Sequence, residues 1–217
     1  MRKLVIIGAG SEIGKSLSSN GSKDVIKISR NDAIFYLYGQ DLENYLTKLE
    51  LTDSDIVYLS AVLYPKTIAD QTQEEFYESF NVNFRLPTII INYLNNHSEN
   101  YNFCFVSTES ALKGSFDDSY AGAKRAVEMI IEETRLNDPH SRIFAIAPST
   151  IGDSGMTTSR SDKDRLASYL AAHPKQRFLS SHEVANLILS LLSDTYSYLT
   201  NTVVRLDGGK FARKTYK

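Results

Sequence analysis

The stretch KLVIIGAGSEIG (residues 3–14) sets an apolar run, Leu4 to Ile7, directly before a glycine-bearing turn and the start of a helical pattern. Four apolar residues bounded by a lysine and a glycine have the length of a strand rather than a helix. Working outward, short apolar runs alternate with longer stretches of helical period, the pattern of βαβ units and a parallel sheet. Strands are expected at 3–8, 24–29, 55–61, 103–108, 142–148 and 202–209. Helices are expected at about 12–20, 41–50, 72–96, 119–136, 162–172 and 182–193, the last capped by Ser180 or Ser181. Pro87 lies inside the longest helical pattern and should kink or divide it. AIFYLYG (33–39) reads as a possible further strand, yet only Asn31 and Asp32 separate it from the run before. Parallel neighbours need a crossover of about a dozen residues or more. Either this run is not a parallel strand, or it pairs antiparallel or frays at an edge; the crossover helix expected there is missing. The expected fold class is a three-layer, doubly wound α/β fold with a mostly parallel central sheet and one edge crossover helix missing.

The chain of 217 residues shows no repeat, low-complexity segment or linker, so one domain over 1–217 is expected, with a sizeable core. It is 42% hydrophobic and 23% charged with a formal net charge of -2, which gives no reason to expect a nucleic-acid or acidic-membrane partner. Cys104 is the single cysteine and lies in the apolar run FCFV, which suits a buried thiol in a reducing compartment. The apolar run after Lys3 stops after four residues, too short for a signal peptide or a membrane span. A cytoplasmic protein is expected. The four histidines are scattered and form no H-x-x-x-H pair, so no metal is expected. GDSG (152–155) follows a parallel-type strand in a chain that cannot form an internal disulfide, and is read as loop chemistry rather than a nucleophile segment.

IIGAGSEIG (6–14) turns from strand to helix through Gly8, Gly10 and Gly14, one residue off the spacing G-x-G-x-x-G. A tight turn alone would account for the glycines. At the first βα junction of an α/β chain, however, such a turn lets backbone amides and a helix N-terminus approach a pyrophosphate. The second strand ends about 22 residues after Gly8 at Ser29-Arg30. An acidic residue there would grip the ribose of NAD, whereas an arginine favours the 2′-phosphate of NADP. A solvated surface charge is the competing reading of Arg30.

YAGAK (120–124) puts a phenol and an ammonium one helical turn apart with only small residues between them. Taken alone it is a common surface pair. An unperturbed tyrosine, with a pKa near 10, is a poor base at neutral pH, and a nearby ammonium should lower that value.

Taken together, GAGSEIG, FNVNFRLP (80–87), FVSTES (105–110), YAGAK, IAPSTIG (146–152) and the C-terminal run ending in Asp-Gly-Gly resemble the short-chain dehydrogenase/reductase family, in its compact single-domain branch with a Rossmann fold. The resemblance covers essentially the whole chain. It implies an NADP(H)-dependent oxidoreductase, with NADP(H) favoured over NAD(H), that interconverts a carbonyl and a secondary alcohol. The catalytic residues it implies are Ser107, thirteen residues before Tyr120, with Tyr120, Lys124 and Asn83. Tyr120 would exchange the proton, Lys124 would acidify it and hold the nicotinamide ribose, and Ser107 would orient the substrate oxygen. Asn83 would support a water reaching Lys124. Gly8, Gly10, Ser11, Ile13, Gly14, Ser29, Arg30, Asp41, Ala61, Pro148 and Ile151 would contact the cofactor. The small residues 121–123 would let the helix come close to it. A homodimer or homotetramer, a small-molecule substrate and a small lid at about 151–175 are further implications.

Three places depart from the family pattern: Glu12 replaces the middle glycine of the loop, LSAV (59–62) replaces an Asn-Ala-Gly run, and Ser149 stands where a glycine follows the proline. They leave open a non-catalytic dinucleotide sensor or interaction module with the same fold. A sugar-nucleotide epimerase or dehydratase fits poorly, because no substrate domain follows.

Overall fold

The computed structural model describes residues 2–19, 24–160 and 162–212. The expected helix end at Asn20 and Ser161 of the expected lid fall outside them. Six strands form one sheet: β1 (Lys3–Ile7), β2 (Val25–Ile28), β3 (Ser54–Tyr58), β4 (Asn102–Val106), β5 (Arg142–Pro148) and β6 (Thr202–Leu206). Their order is β2-β1-β3-β4-β5-β6, and every described pair is parallel. The helices are α1 (Glu12–Ser19), α2 (Gly39–Lys48), α3 (Gln73–Phe80), α4 (Leu86–His97), α5 (Ser110–Lys113), α6 (Asp118–Glu133), α7 (Gly155–Thr158), α8 (Lys163–Ala172) and α9 (Ser181–Leu192).

Central strands buried on both faces read as unbroken apolar runs, and β4 and β5 are buried along their whole length. One apolar cluster fills the face covered by α2, α4 and α6, where Ile56, Tyr58, Phe103 and Phe105 meet Leu42, Ile90 and Val127. The other fills the face covered by α1 and α9, around Ile6, Val57, Cys104, Phe144 and Ile188. The result is the expected three-layer architecture. α9 starts at a capping box in which Ser180 and Glu183 satisfy each other's backbone amides.

Two expectations change. AIFYLYG is not a strand: Ala33–Tyr36 forms a 3₁₀ turn. The Asp32 carboxylate accepts hydrogen bonds from the Ser29 amide and hydroxyl and reverses the chain at the end of β2. Ile34 and Phe35 then drop into the core while Tyr36 and Tyr38 stay exposed. Asn81 and Arg85 donate to the carbonyls of Phe35 and Leu37, so the segment is held from the neighbouring helices. With no edge strand to reach, no crossover helix is needed. The long helical pattern stays helical throughout but widens into a π-helical segment, Asn81–Arg85, just before Pro87, and the Val82 carbonyl in that turn accepts the Tyr58 hydroxyl at 2.6 Å.

Candidate active site

The strand order reverses beside β1: the chain passes from β1 to β2 on one side and returns to β3 on the other. Ligands of doubly wound sheets bind in the crevice at such a switch point, outside the carboxyl ends of the strands. The glycine turn lies there. Gly8 has φ +98°, and a Cβ on it would come within 2.8 Å of the Ser60 amide at the exit of β3. A Cβ on Gly14 would strike Ala9 at 2.7 Å. Both glycines are thus required by the chain's own packing. A Cβ on Gly10 would meet no heavy atom within 4 Å, so its surroundings do not demand glycine. The Ser11 hydroxyl donates to the Gly8 carbonyl and accepts the Gly14 amide, capping α1. Ile13 packs its side chain into the core, leaving its backbone amide at the helix N-terminus.

Asp117, fully buried, caps α6 by accepting the Tyr120 amide at 2.9 Å. The same carboxylate accepts the Ser119 hydroxyl, the Tyr64 amide and the Gln71 side chain, tying the 64–71 loop to the helix start. Tyr120 and Lys124 are both buried on the inner face of α6, at 7% and 1% exposure. The Lys124 ammonium donates to the Val106 carbonyl at 2.8 Å and lies 4.3 Å from the Phe105 ring centroid and 5.9 Å from that of Tyr120. Burial lowers its pKa to about 7, opposed by the negative charge of Glu128. Burial raises the Tyr120 phenol to about 12, the Thr108 hydroxyl acting against it and Asp117 with it. The phenol is therefore less acidic than an exposed tyrosine, the reverse of the shift expected from Lys124 alone. Of the three small residues, Ala121 and Ala123 are buried, while Gly122 faces open space.

The two hydroxyls at the exit of β4 go to different partners. That of Thr108 accepts the Ser110 amide at 3.2 Å and lies near enough to the Tyr120 phenol to lower its pKa. That of Ser107 donates to the buried Glu128 carboxylate at 2.5 Å, one helical turn beyond Lys124. Counting thirteen residues back from Tyr120 gives Ser107, which stands at this strand exit directly before Thr108. Thr108 was not among the expected site residues, although its hydroxyl acts on the Tyr120 phenol. Asp117 and Glu128 were also missed, although Asp117 stands where helix caps are expected and Glu128 at i+4 from Lys124.

A sequence profile of the family described as Enoyl-(Acyl carrier protein) reductase matches residues 46–210. The chain belongs to the short-chain dehydrogenase/reductase family. It is an NAD(P)-dependent enzyme acting between carbonyl and alcohol. It is 25% identical to an L-xylulose reductase of Caenorhabditis elegans over 96% of this chain and 95% of that protein. It is 24% identical to a D-erythrulose reductase of Gallus gallus over 96% and 95% respectively. In structure it resembles a short-chain dehydrogenase/reductase from Brucella melitensis, with a TM-score of 0.80, 17% identity and coverage of 97% and 96%. A putative NAD(P)-dependent gluconate 5-dehydrogenase from Beutenbergia cavernae, solved with bound NADP at low occupancy, matches with TM-score 0.80, 17% identity and 97% coverage of both chains.

At each departure from its family's pattern, this short-chain dehydrogenase/reductase makes local contacts of its own. The Glu12 carboxylate pairs with Lys15 at 2.5 Å on the exposed side of α1. The turn at 59–62 is held by fully buried Asn83, whose side chain accepts the Val62 amide at 3.1 Å and donates to the Val62 carbonyl at 2.7 Å. That grip also fixes half-buried Ala61. The Asn83 side chain also donates to the Ser79 hydroxyl at 3.1 Å. Ser149 donates its amide to Leu206 and meets His173 through its hydroxyl at 3.5 Å. Pro148 closes β5, and Ile151 forms a parallel bridge with Leu179, which joins the two ends of the segment carrying α7 and α8. Arg30 is exposed at the end of β2, near enough to the Tyr64 phenol to favour its charged form. Asp41 is exposed in the first turn of α2. None of the described helices is long and apolar enough to cross a membrane.

Proposed function

We propose that this enzyme is an NADP(H)-dependent reductase of small polyhydroxylated ketones in which Tyr120 gives and takes the proton. The observation that carries the reading is the buried pair Tyr120 and Lys124, one helical turn apart on the inner face of α6 and beside the exit of β4. The turn fits a dinucleotide, since it packs closely everywhere except at Gly10 and presents the N-terminus of α1. Gly8, Gly10, Ser11, Ile13 and Gly14 would hold the pyrophosphate, Ser29 and Arg30 the 2′-phosphate, Asp41 the adenine, and Ala61, Pro148 and Ile151 the nicotinamide half. When bound, that cofactor supplies or accepts a hydride.

The chain's own residues handle the proton. Tyr120 holds one at its phenolic oxygen, ready for an alkoxide developing within hydrogen-bond reach. Ser107 and Thr108, the two hydroxyls at the exit of β4, would orient the substrate oxygen, that of Ser107 being held by Glu128. Lys124 stabilises the phenolate left behind. A phenol held near 12 keeps its proton at neutral pH, the form from which a ketone reduction starts. The likeness to reductases named for L-xylulose and D-erythrulose supports the substrate class.

Titrating NADPH and NADH against the purified protein by nicotinamide fluorescence, followed by turnover of small ketoses, tests this. NADPH should bind more tightly, Arg30→Glu should weaken NADPH selectively, and Tyr120→Phe should lower kcat/KM about 100-fold or more. Binding of neither nucleotide would overturn the reading.

A further inference from the structure

The proton machinery proposed above does not account for Glu128. Its carboxylate is 3% exposed, lies one turn beyond Lys124 on the same face of α6, and reaches Ser107 at 2.5 Å. A buried carboxylate costs several kcal/mol unless it is paired and hydrogen-bonded. Arg125 answers it from the solvent side at 3.1 Å and also reaches Glu132 at 3.8 Å. On the inner side stands the buried Lys124 ammonium, whose hydrogen bond goes to the uncharged Val106 carbonyl. Adjacent positions at the exit of β4, Val106 and Ser107, are therefore gripped by a cation and an anion from successive turns of one helix.

We propose that Glu128 is a positioning residue: it supplies the counter-charge of Lys124 and, through Ser107, fixes the strand end to which that lysine is hydrogen-bonded. This rests on the reading of Lys124 as part of the active site. Burial favours the neutral amine, and among the charges that act on Lys124, Glu128 is the one that favours the ammonium. The other charges around Glu128 come from three elements. On α6 they are Arg125 and Glu132; after β4, Glu109, which pairs with Lys210; and on or after β6, Arg205 and Asp207. These groups line a cavity of about 90 Å³ that Glu128 shares with Thr108, and it gives the carboxylate a polar side away from the core.

The test follows Lys124 itself and needs no turnover. In protein labelled with ¹³C at lysine Cε, the Lys124 resonance is assigned by its loss in Lys124→Met and titrated against pH. Glu128→Gln should move the Lys124 midpoint down by about one unit or more. Ser107→Ala, which breaks the same hydrogen bond but keeps the charge, should move it far less. An unmoved midpoint in Glu128→Gln, or equal shifts in both variants, overturns the proposal. If Glu128→Gln fails to fold, the Lys124→Met/Glu128→Gln double variant should fold, since neither charge is then left alone; failure of the double variant also overturns it. A chain that binds no nicotinamide nucleotide would sink the proposed function and still give a decisive Lys124 titration.

Discussion

At the scale of single residues, the glycine turn separates two reasons for a missing side chain. Gly8 is bound by its own positive φ and by contact with Ser60, whereas Gly10 faces open space. Gly8→Ala should cost about 2 kcal/mol or more in urea unfolding. Gly10→Ala should leave the unfolding midpoint near wild type yet weaken nucleotide binding measured by fluorescence. The sequence shows both glycines and the motif they make, but not which of them the fold itself demands. The same holds for the hydroxyls after β4. Ser107 and Thr108 are adjacent letters, and only the path of the backbone past α6 decides that Ser107 reaches Glu128 while Thr108 accepts the Ser110 amide. Thr108→Val should reduce kcat/KM about 100-fold, the order seen when one donor to a developing oxyanion is removed.

At the scale of elements, the start of α6 depends on one buried carboxylate. Asp117 caps the helix and holds the 64–71 loop, so Asp117→Ala removes a cap together with several charge-assisted hydrogen bonds. A loss of about 3 kcal/mol or more is expected in chemical denaturation, with Tyr120 no longer fixed. Helix and strand periods were legible because each central strand buries both faces and each covering helix buries one. What the periods could not resolve is the 33–39 run, whose β-favouring residues Ile34, Phe35 and Tyr36 are overridden by a turn closed at Asp32 and by Asn81 and Arg85 of the neighbouring helices. The π-helical segment was hidden for a related reason. One extra residue turns the following apolar positions by about 100°, a phase shift too brief to stand out in a run so rich in apolar residues, and the segment carries the Asn83 that holds the Val62 backbone.

At the scale of the whole molecule, burying Lys124 and Tyr120 links stability to pH. Lys124 has a folded-state pKa of about 7 against an ordinary value of 10.5, so between these values the unfolded chain holds the extra proton. Its destabilising effect is complete below about 7 and is relieved as pH rises towards 10.5, giving a positive slope of stability with pH. Tyr120 acts the other way at higher pH, because its folded-state value of about 12 exceeds the ordinary 10.0. Its contribution is present below 10 and is lost as pH rises through 12. Unfolding midpoints measured from pH 7 to 10 should rise less in Lys124→Met than in wild type. Cys104 reports the same global event: it is fully buried in the sheet and burial pushes its thiol well up, so a thiol reagent should modify it at the rate of unfolding.

The sequence by itself determined the α/β class, the glycine turn at the first strand exit and the presence of Tyr120 and Lys124 one helical turn apart. All of these rest on contacts within a few residues, where spacing along the chain is spacing in space. Tertiary structure alone decided the absence of the edge strand, the partner of each hydroxyl after β4, and the direction in which the phenol and the ammonium are shifted. Those depend on what distant elements bring near and on how completely they exclude water, and neither is encoded at a fixed separation in the chain.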